Sequence, residues 1–261
     1  MVRFNMCILL NIGRIGNSMD RTIIELEKTL LRGEDIGLAK GALVASAVET
    51  RQELNLYLDM INRLYRAIAD TIPTDGDAVE NARGIFDWLW QSKPDRYEPQ
   101  GYFRLTHVLD AQIGENKCVG NCLGLTILYN VLARQFKLTV KAAYLDDAFG
   151  RGPHTFSVLN IDNRTIDIKN IFPHGFDYQD HRKTTQREDW GDRELIADMY
   201  HSIGNELSTS GDWEGAMVNY DKSLLLNPKY SRAYLNKGIA LVEMGHLDEA
   251  VEWFKSQARQ V

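Results

Sequence analysis

The sequence predicts an α+β core followed by a purely helical C-terminal unit. Three observations carry this reading. Apolar residues recur at helical spacing through most of the first 91 positions. The middle of the chain passes from one strongly apolar helix into three strand-like segments, the pattern of an α+β unit with an antiparallel sheet. The C-terminal stretch repeats itself with a period of 34 residues.

The bulk properties bound the function. A chain of 261 residues with 44% hydrophobic content can bury a substantial core and is long for one domain, so two domains, or one with an appendage, are expected. The net charge is −6 with signs interspersed, which offers no electrostatic footprint for nucleic acid. The longest basic run, His181-Arg182-Lys183, is broken at once by threonines and acids. No apolar run approaches the roughly 18 residues of a membrane span, so no membrane association is expected. Three cysteines, an odd number, point away from a disulfide-stapled secreted domain and toward a reducing, cytoplasmic setting. Residues 1–18 carry a short apolar run, Met6–Ile12, interrupted by Asn11 and followed by no small-x-small cleavage pattern. They are expected to be a disordered leader or a start placed too early, with Met19 as the true start, and Cys7 receives no role.

From Met19 to Ala69 the pattern is helical: Ile23, Leu26, Leu30 and Leu31, then Leu54, Tyr57, Leu58, Ile61, Leu64, Tyr65 and Ile68. Ile72–Gly76 reads as a turn. A further helix is expected over about 77–91, with Val79, Ala82, Ile85, Phe86 and Leu89 inward, and Trp88 and Trp90 beside them as core aromatics. Lys93-Pro94 ends it, and 19–96 forms the helical N-terminal segment. His107, within the apolar piece Phe103–Leu109, reads as a packed or capping histidine. The stretch beginning at Cys122 is apolar nearly all round, as suits a helix buried against a sheet. Strands are expected over Leu138–Leu145, His154–Ile161 and Arg164–Ile168, the last two joined by an Asp162-Asn163 turn. The core spans 97–176, and 177–194 is expected to be a linker.

In the C-terminal stretch, Gly204 and Gly238, Gly211 and Gly245, Ala216 and Ala250, and Tyr220 and Phe254 are each 34 apart. Leu207 and Leu241 keep the same register, and Pro228 falls where a repeat closes. This is the period of the tetratricopeptide repeat, a helix-turn-helix unit, with repeats expected at 197–230 and 231–261 within 195–261. Such repeats imply a protein or peptide partner. Two repeats rarely stand alone, because each buries its apolar face on a neighbour.

The chemistry-bearing residues are Cys122, His154 and Asp167. A thiol reacts as thiolate, and a helix N-terminus with a nearby imidazolium stabilises that form. Cys122 opens the apolar helix behind Gly120 and the N-cap candidate Asn121, and Gly124 leaves room for close approach. His154 would take the thiol proton and an acid on the adjoining strand would orient its ring. The competing reading is a buried small hydrophobe at Cys122 and a strand-capping His154, and the two stand near even. Cys118 precedes the helix and has poorer electrostatics. As a zinc pair, Cys118 and Cys122 lack two further ligands, so no metal and no cofactor are expected. A two-residue turn pairs Ile161 with Arg164 and sets Asp167 opposite Val158, on the His154 side but four residues along. Asp162 reads as a turn residue, and Asn170 is an alternative orienter.

The run GNCLGLTILYNVLARQFKL resembles the cysteine helix of the transglutaminase-like superfamily, with Arg134 twelve residues after the cysteine. PHTFSVL resembles its histidine strand and TIDIKN its aspartate strand. The layout over about 35–261 is similar to bacterial transglutaminase-like proteins bearing tetratricopeptide repeats. The resemblance implies a papain-like fold with a Cys122–His154–Asp167 triad acting on amide or thioester carbonyls through a covalent thioester. Asn121 and Asn116 are the oxyanion candidates. Ile168 stands where the family usually has proline, and repeat-bearing relatives often have proline where this chain has Cys122. The reading from a different class is a non-catalytic adaptor that binds a partner through its repeats.

Overall fold

A computed structural model describes residues 19–73, 76–148, 150–162, 164–179 and 187–258. The expected leader, the His181-Arg182-Lys183 run, Asn163 and the middle of the Ile72–Gly76 turn lie outside the described residues. The chain divides into two units, Gly37–Leu195 and a second formed by the residues up to Ile36 together with Ile196–Val261. The expected boundaries at 96/97 and 176/177 are not where this division falls.

In the first unit the helices are α2 (Leu38–Ala45), α3 (Arg51–Ala69), α4 (Ala78–Ser92), α5 (Leu105–Ile113) and α6 (Cys122–Gln135). Their starts are written locally. The Thr50 side chain accepts the amide of Glu53, and the Glu53 carboxylate accepts that of Glu49. At α4, Asp77 and Glu80 form a reciprocal capping box. The expected inward residues of α4, Ala82, Ile85, Phe86 and Leu89, are buried. Helix α6 is buried on every side from Leu123 to Ala133, as an element enclosed by others should be.

The sheet is antiparallel, in the order β3-β2-β1-β4, with β1 at Val140–Leu145, β2 at His154–Ile161, β3 at Arg164–Ile168 and β4 at Arg187–Trp190. The β2 and β3 bounds agree with those expected, and the register pairs Ile161 with Arg164 and Asp167 with Val158. Asp162 takes the left-handed conformation of the turn, at φ 46°. The expected 177–194 linker is in part a correction. Its residues Arg187–Trp190 pair with Ala142–Leu145 as the edge strand β4, and Trp190 stacks on Tyr144 with ring centres 4.0 Å apart. Helix α6 lies on β2 and β1: the Thr126 hydroxyl donates to the Thr155 carbonyl and the Asn130 amide to that of Lys141. At its far end the Arg134 guanidinium forks onto Asp192 and also donates to the Val140 carbonyl. The Arg134 that follows Cys122 by twelve residues is thus a brace between α6, β1 and Asp192, the first residue of the helix after β4.

The second unit holds α1 (Arg21–Leu31), most of α7 (Asp192–Thr209), α8 (Trp213–Leu226), α9 (Ser231–Glu243) and α10 (Leu247–Ala258). The repeating glycines explain themselves here. Gly211 and Gly245 hold positive φ at the two inter-helix turns, at 85° and 78°. A Cβ at Gly204 would meet the Tyr220 ring at 2.4 Å, and one at Gly238 the Phe254 ring at 2.2 Å, so each repeat needs glycine under its aromatic. Helix α1 joins this unit through Glu27, a buried acid that accepts from the Tyr200 hydroxyl and the Lys222 ammonium, both at 2.8 Å.

Candidate functional site

Cys122 is the first residue of α6, half-buried, with Asn121 as N-cap: its side-chain oxygen accepts the Gly124 amide at 3.1 Å. The approach to the helix start is tight. A Cβ at Gly124 would lie 2.4 Å from the Tyr102 carbonyl oxygen, and one at Gly120 2.6 Å from the same atom, so both positions require glycine. Residues 96–98 form a strap along this loop. The Arg96 carbonyl accepts from Val119 and Gly120, and the Glu98 amide donates to the Gly120 carbonyl. Tyr97 bridges to Gly120, and burial together with the charge of Cys122 pushes its phenol up. Burial and a hydrogen bond to Glu98 push the Cys118 thiol up as well, away from nucleophilic character. Of the oxyanion candidates, Asn121 is committed through its oxygen to the helix cap. Asn116 is exposed, and its main-chain carbonyl accepts from Lys93.

His154 opens β2 opposite Leu145 and is buried, its ring nearly parallel to that of Phe156 at 5.8 Å. Burial, and next the positive charge of Lys169, push its imidazole down to about 3. Lys169 follows β3 by one residue, is itself buried, and lies over the Phe156 and Tyr178 rings at 5.2 and 4.9 Å.

Asp167 is fully buried and engaged by Arg187 of β4, 2.7 Å from its Oδ2. Its other oxygen, Oδ1, has no hydrogen-bond partner among the described residues. The ion pair joins the two edge strands of the sheet. Three strand spacings amount to about 14 Å on a flat sheet, so the face carrying these residues must curl inward over Phe156, whose ring lies 5.3 Å from the Arg187 guanidinium. Asn170 donates to the Ser157 hydroxyl at 2.9 Å, which places it with Ser157 on the face of β2 opposite to His154.

Tyr97 thus lies near Cys122, Lys169 and Phe156 near His154, and Arg187 at Asp167, with the Phe156 ring also beside the Arg187 guanidinium. Lys169 was within reach of sequence reasoning, since it stands two residues after Asp167 and alternation puts it on the same face. Arg187 carried no such signal. His107, read as packed or capping, is exposed and meets Tyr102 edge-on at 5.6 Å. Among the described residues no group of three or more His, Cys, Asp or Glu side chains could hold a metal ion. None of the described helices is long and apolar enough to cross a membrane.

In the second unit, α9 packs into the pair formed by α7 and α8. Ala240 lies with Ala216 and Tyr220, flanked by Leu207, Trp213 and Met217. Asn236 bonds His201 at 3.0 Å and Asn205 at 2.8 Å, the Tyr230 hydroxyl donates to Asp198 at 2.7 Å, and the buried Lys237 pairs with Asp221. Helix against helix-turn-helix at a 34-residue repeat is the packing that the period requires. Residues 219–252 match the tetratricopeptide repeat family. The C-terminal helices are consistent with tetratricopeptide repeats.

Two further likenesses are found. The uncharacterized protein MJ0572 of Methanocaldococcus jannaschii is 40% identical over 58 residues, 22% of this chain and 67% of that protein. The chain belongs to one family with it over that stretch. Protein FlbA of Caulobacter vibrioides is 34% identical over 53 residues, 20% of this chain and 9% of FlbA. No solved structure matches the chain.

Proposed function

We propose that this protein is a non-catalytic adaptor that binds a protein partner through its tetratricopeptide repeats, the transglutaminase-like core serving as scaffold. The observation that carries the reading is the repeat array itself: two helical pairs at a 34-residue period, matched by the tetratricopeptide family over 219–252. Such arrays present surfaces that hold peptide segments or helices.

The core supports the same reading by its charges. A general base needs a pKa near the working pH, and a buried His154 held to about 3 beside Lys169 stays neutral instead. An orienting carboxylate would favour the imidazolium, but Asp167 is neutralised by Arg187. The test compares the full chain with one lacking 195–261 by cross-linking and mass spectrometry. The reading expects a defined partner set that is lost on the deletion. A partner set unchanged by the deletion would contradict it.

The second reading is a cysteine acyltransferase or amidohydrolase acting on a peptide or protein amide. The position of Cys122 at the first turn of α6, where the unpaired amides favour a thiolate, favours it. In that reading Cys122 is the nucleophile, His154 the base and Asp167 the orienting acid. A ligand would then have to break the Asp167–Arg187 pair and bring His154 toward neutral pKa.

A further inference from the structure

One buried cation of the first unit has nothing among the described residues to neutralise it. Arg96 lies between α4 and the loop that leads into α6, and is 2% exposed. No charged side chain acts on it, and burial alone pulls its guanidinium down to about 9. The acids beside it in sequence do not serve it: Asp95 is exposed, and Glu98 is hydrogen-bonded to the Cys118 thiol. Lys93, the neighbouring cation, spends its ammonium on the Gly114 and Asn116 carbonyls. Gln112 of α5, tied to Ser92 at the end of α4, keeps its own Oε1 buried without a partner, so it does not satisfy the guanidinium either. The main chain holds Arg96 in place, because its carbonyl accepts the amides of Val119 and Gly120 at 2.8 and 3.1 Å. The orphaned atoms are Nε and Nη2. In a guanidinium these two N–H bonds lie side by side in one plane and point the same way. That is the fork that takes both oxygens of a carboxylate.

We propose that Arg96 anchors a ligand site for a small carboxylate, gripped side-on through Nε and Nη2. One carboxylate brings one negative charge to one cation, and each of its oxygens receives a donor. A phosphate group fits less well, since it brings more charge and a third acceptor oxygen. No further buried donor lacking a partner lies on α4, residues 96–98 or the 114–121 loop to receive that oxygen. Ordered water would occupy the two donors but leave the charge unanswered. Trp90 is half-buried, with its ring 5.8 Å from the Arg96 guanidinium carbon, and flanks the site with an apolar surface. That surface suits a carboxylate on a short apolar body. The site is separate from the tetratricopeptide repeats, and its failure would leave the adaptor reading untouched.

The test follows thermal unfolding of the full-length protein in sodium acetate, sodium chloride and sodium phosphate at neutral pH and matched ionic strength. Acetamide, which has the shape of acetate without its charge, is added to the chloride buffer as a further arm. A saturable rise of roughly 5 °C is expected at a hundredfold excess of acetate over its dissociation constant. Chloride and acetamide should give no such rise, and phosphate a smaller one. Arg96→Met should abolish the acetate response, and Arg96→Lys, which keeps the charge without the fork, should weaken binding about tenfold. Saturation-transfer NMR on the acetate methyl signal reads binding directly and should lose the effect in Arg96→Met. A response to acetate that acetamide or chloride reproduces, or that Arg96→Met retains, overturns the proposal. So does a larger response to phosphate. The acetate and acetamide arms use wild type alone, so they decide the matter even where a variant fails to fold.

Discussion

At His154 an imidazole enclosed between strand and aromatic ring remains buried by remaining neutral. Its folded-state value of about 3 lies below the ordinary 6.5, so above pH 6.5 the ring is neutral folded or unfolded and contributes no pH dependence. As pH falls from 6.5 toward 3 the unfolded chain takes up a proton that the folded chain refuses. Stability is lost over that window at about 1.4 kcal/mol per pH unit. The difference in urea midpoints between wild type and His154→Gln, followed across pH 7 to 3, should reveal this slope. A wild-type slope no steeper than that of His154→Gln would mean that the ring titrates normally. Arg96 gives the complementary case. Its guanidinium is buried, Nε and Nη2 have no hydrogen-bond partner among the described residues, and burial pulls it down to about 9, with the Trp90 ring at 5.8 Å as partial compensation. Arg96→Met should therefore raise stability by roughly 1–3 kcal/mol in urea unfolding, and a loss of that size would show the cation to be held after all. Of these residue-level facts, the position of Asp167 opposite Val158 was legible, because strand periodicity is two and a two-residue turn fixes the register. Its counter-ion was not. Arg187 stands 20 residues away on a strand that the local pattern did not announce.

At the scale of elements, the helix starts and the β2–β3 hairpin were written in short-range chemistry: Thr50, Asp77 and Asn121 as caps, the β-branched and aromatic residues of β2, and Asp162 at the turn. Strand β4 was not. It has four residues, of which only Trp190 is apolar, and a charged edge strand of that length is defined by its neighbour rather than by its own pattern. Its place in the sheet is secured by the Arg187–Asp167 pair, which reaches across β1 and β2. Removing one partner leaves the other charge buried, so Asp167→Leu and Arg187→Met should each cost about 3–5 kcal/mol in urea unfolding. The double variant should recover most of that loss, because an apolar pair replaces an ionic one. An Arg187→Met variant as stable as wild type would contradict this and release Asp167 for another role.

Across the whole molecule, a 34-residue period was enough to identify the repeats, since every fourth or seventh position is constrained by the same packing. The grouping of α1 with them was not legible. It depends on Glu27 receiving Tyr200 and Lys222 from 173 and 195 residues away, contacts that no local pattern encodes. The position of Cys122 at the start of its helix and the charges around His154 and Asp167 draw the proposed functions in opposite directions. The proposed adaptor reading places binding on the repeats and expects no working base in the core. The direct test is the alkylation rate of Cys122 by iodoacetamide against pH, read by mass spectrometry of its own peptide, in wild type and His154→Ala. The account predicts a rate that rises through the free-thiol range near ~8.5 and is unchanged in His154→Ala. A rate already at its plateau near neutral pH, and lowered in His154→Ala, would show a thiolate–imidazolium pair and contradict the adaptor reading of the core.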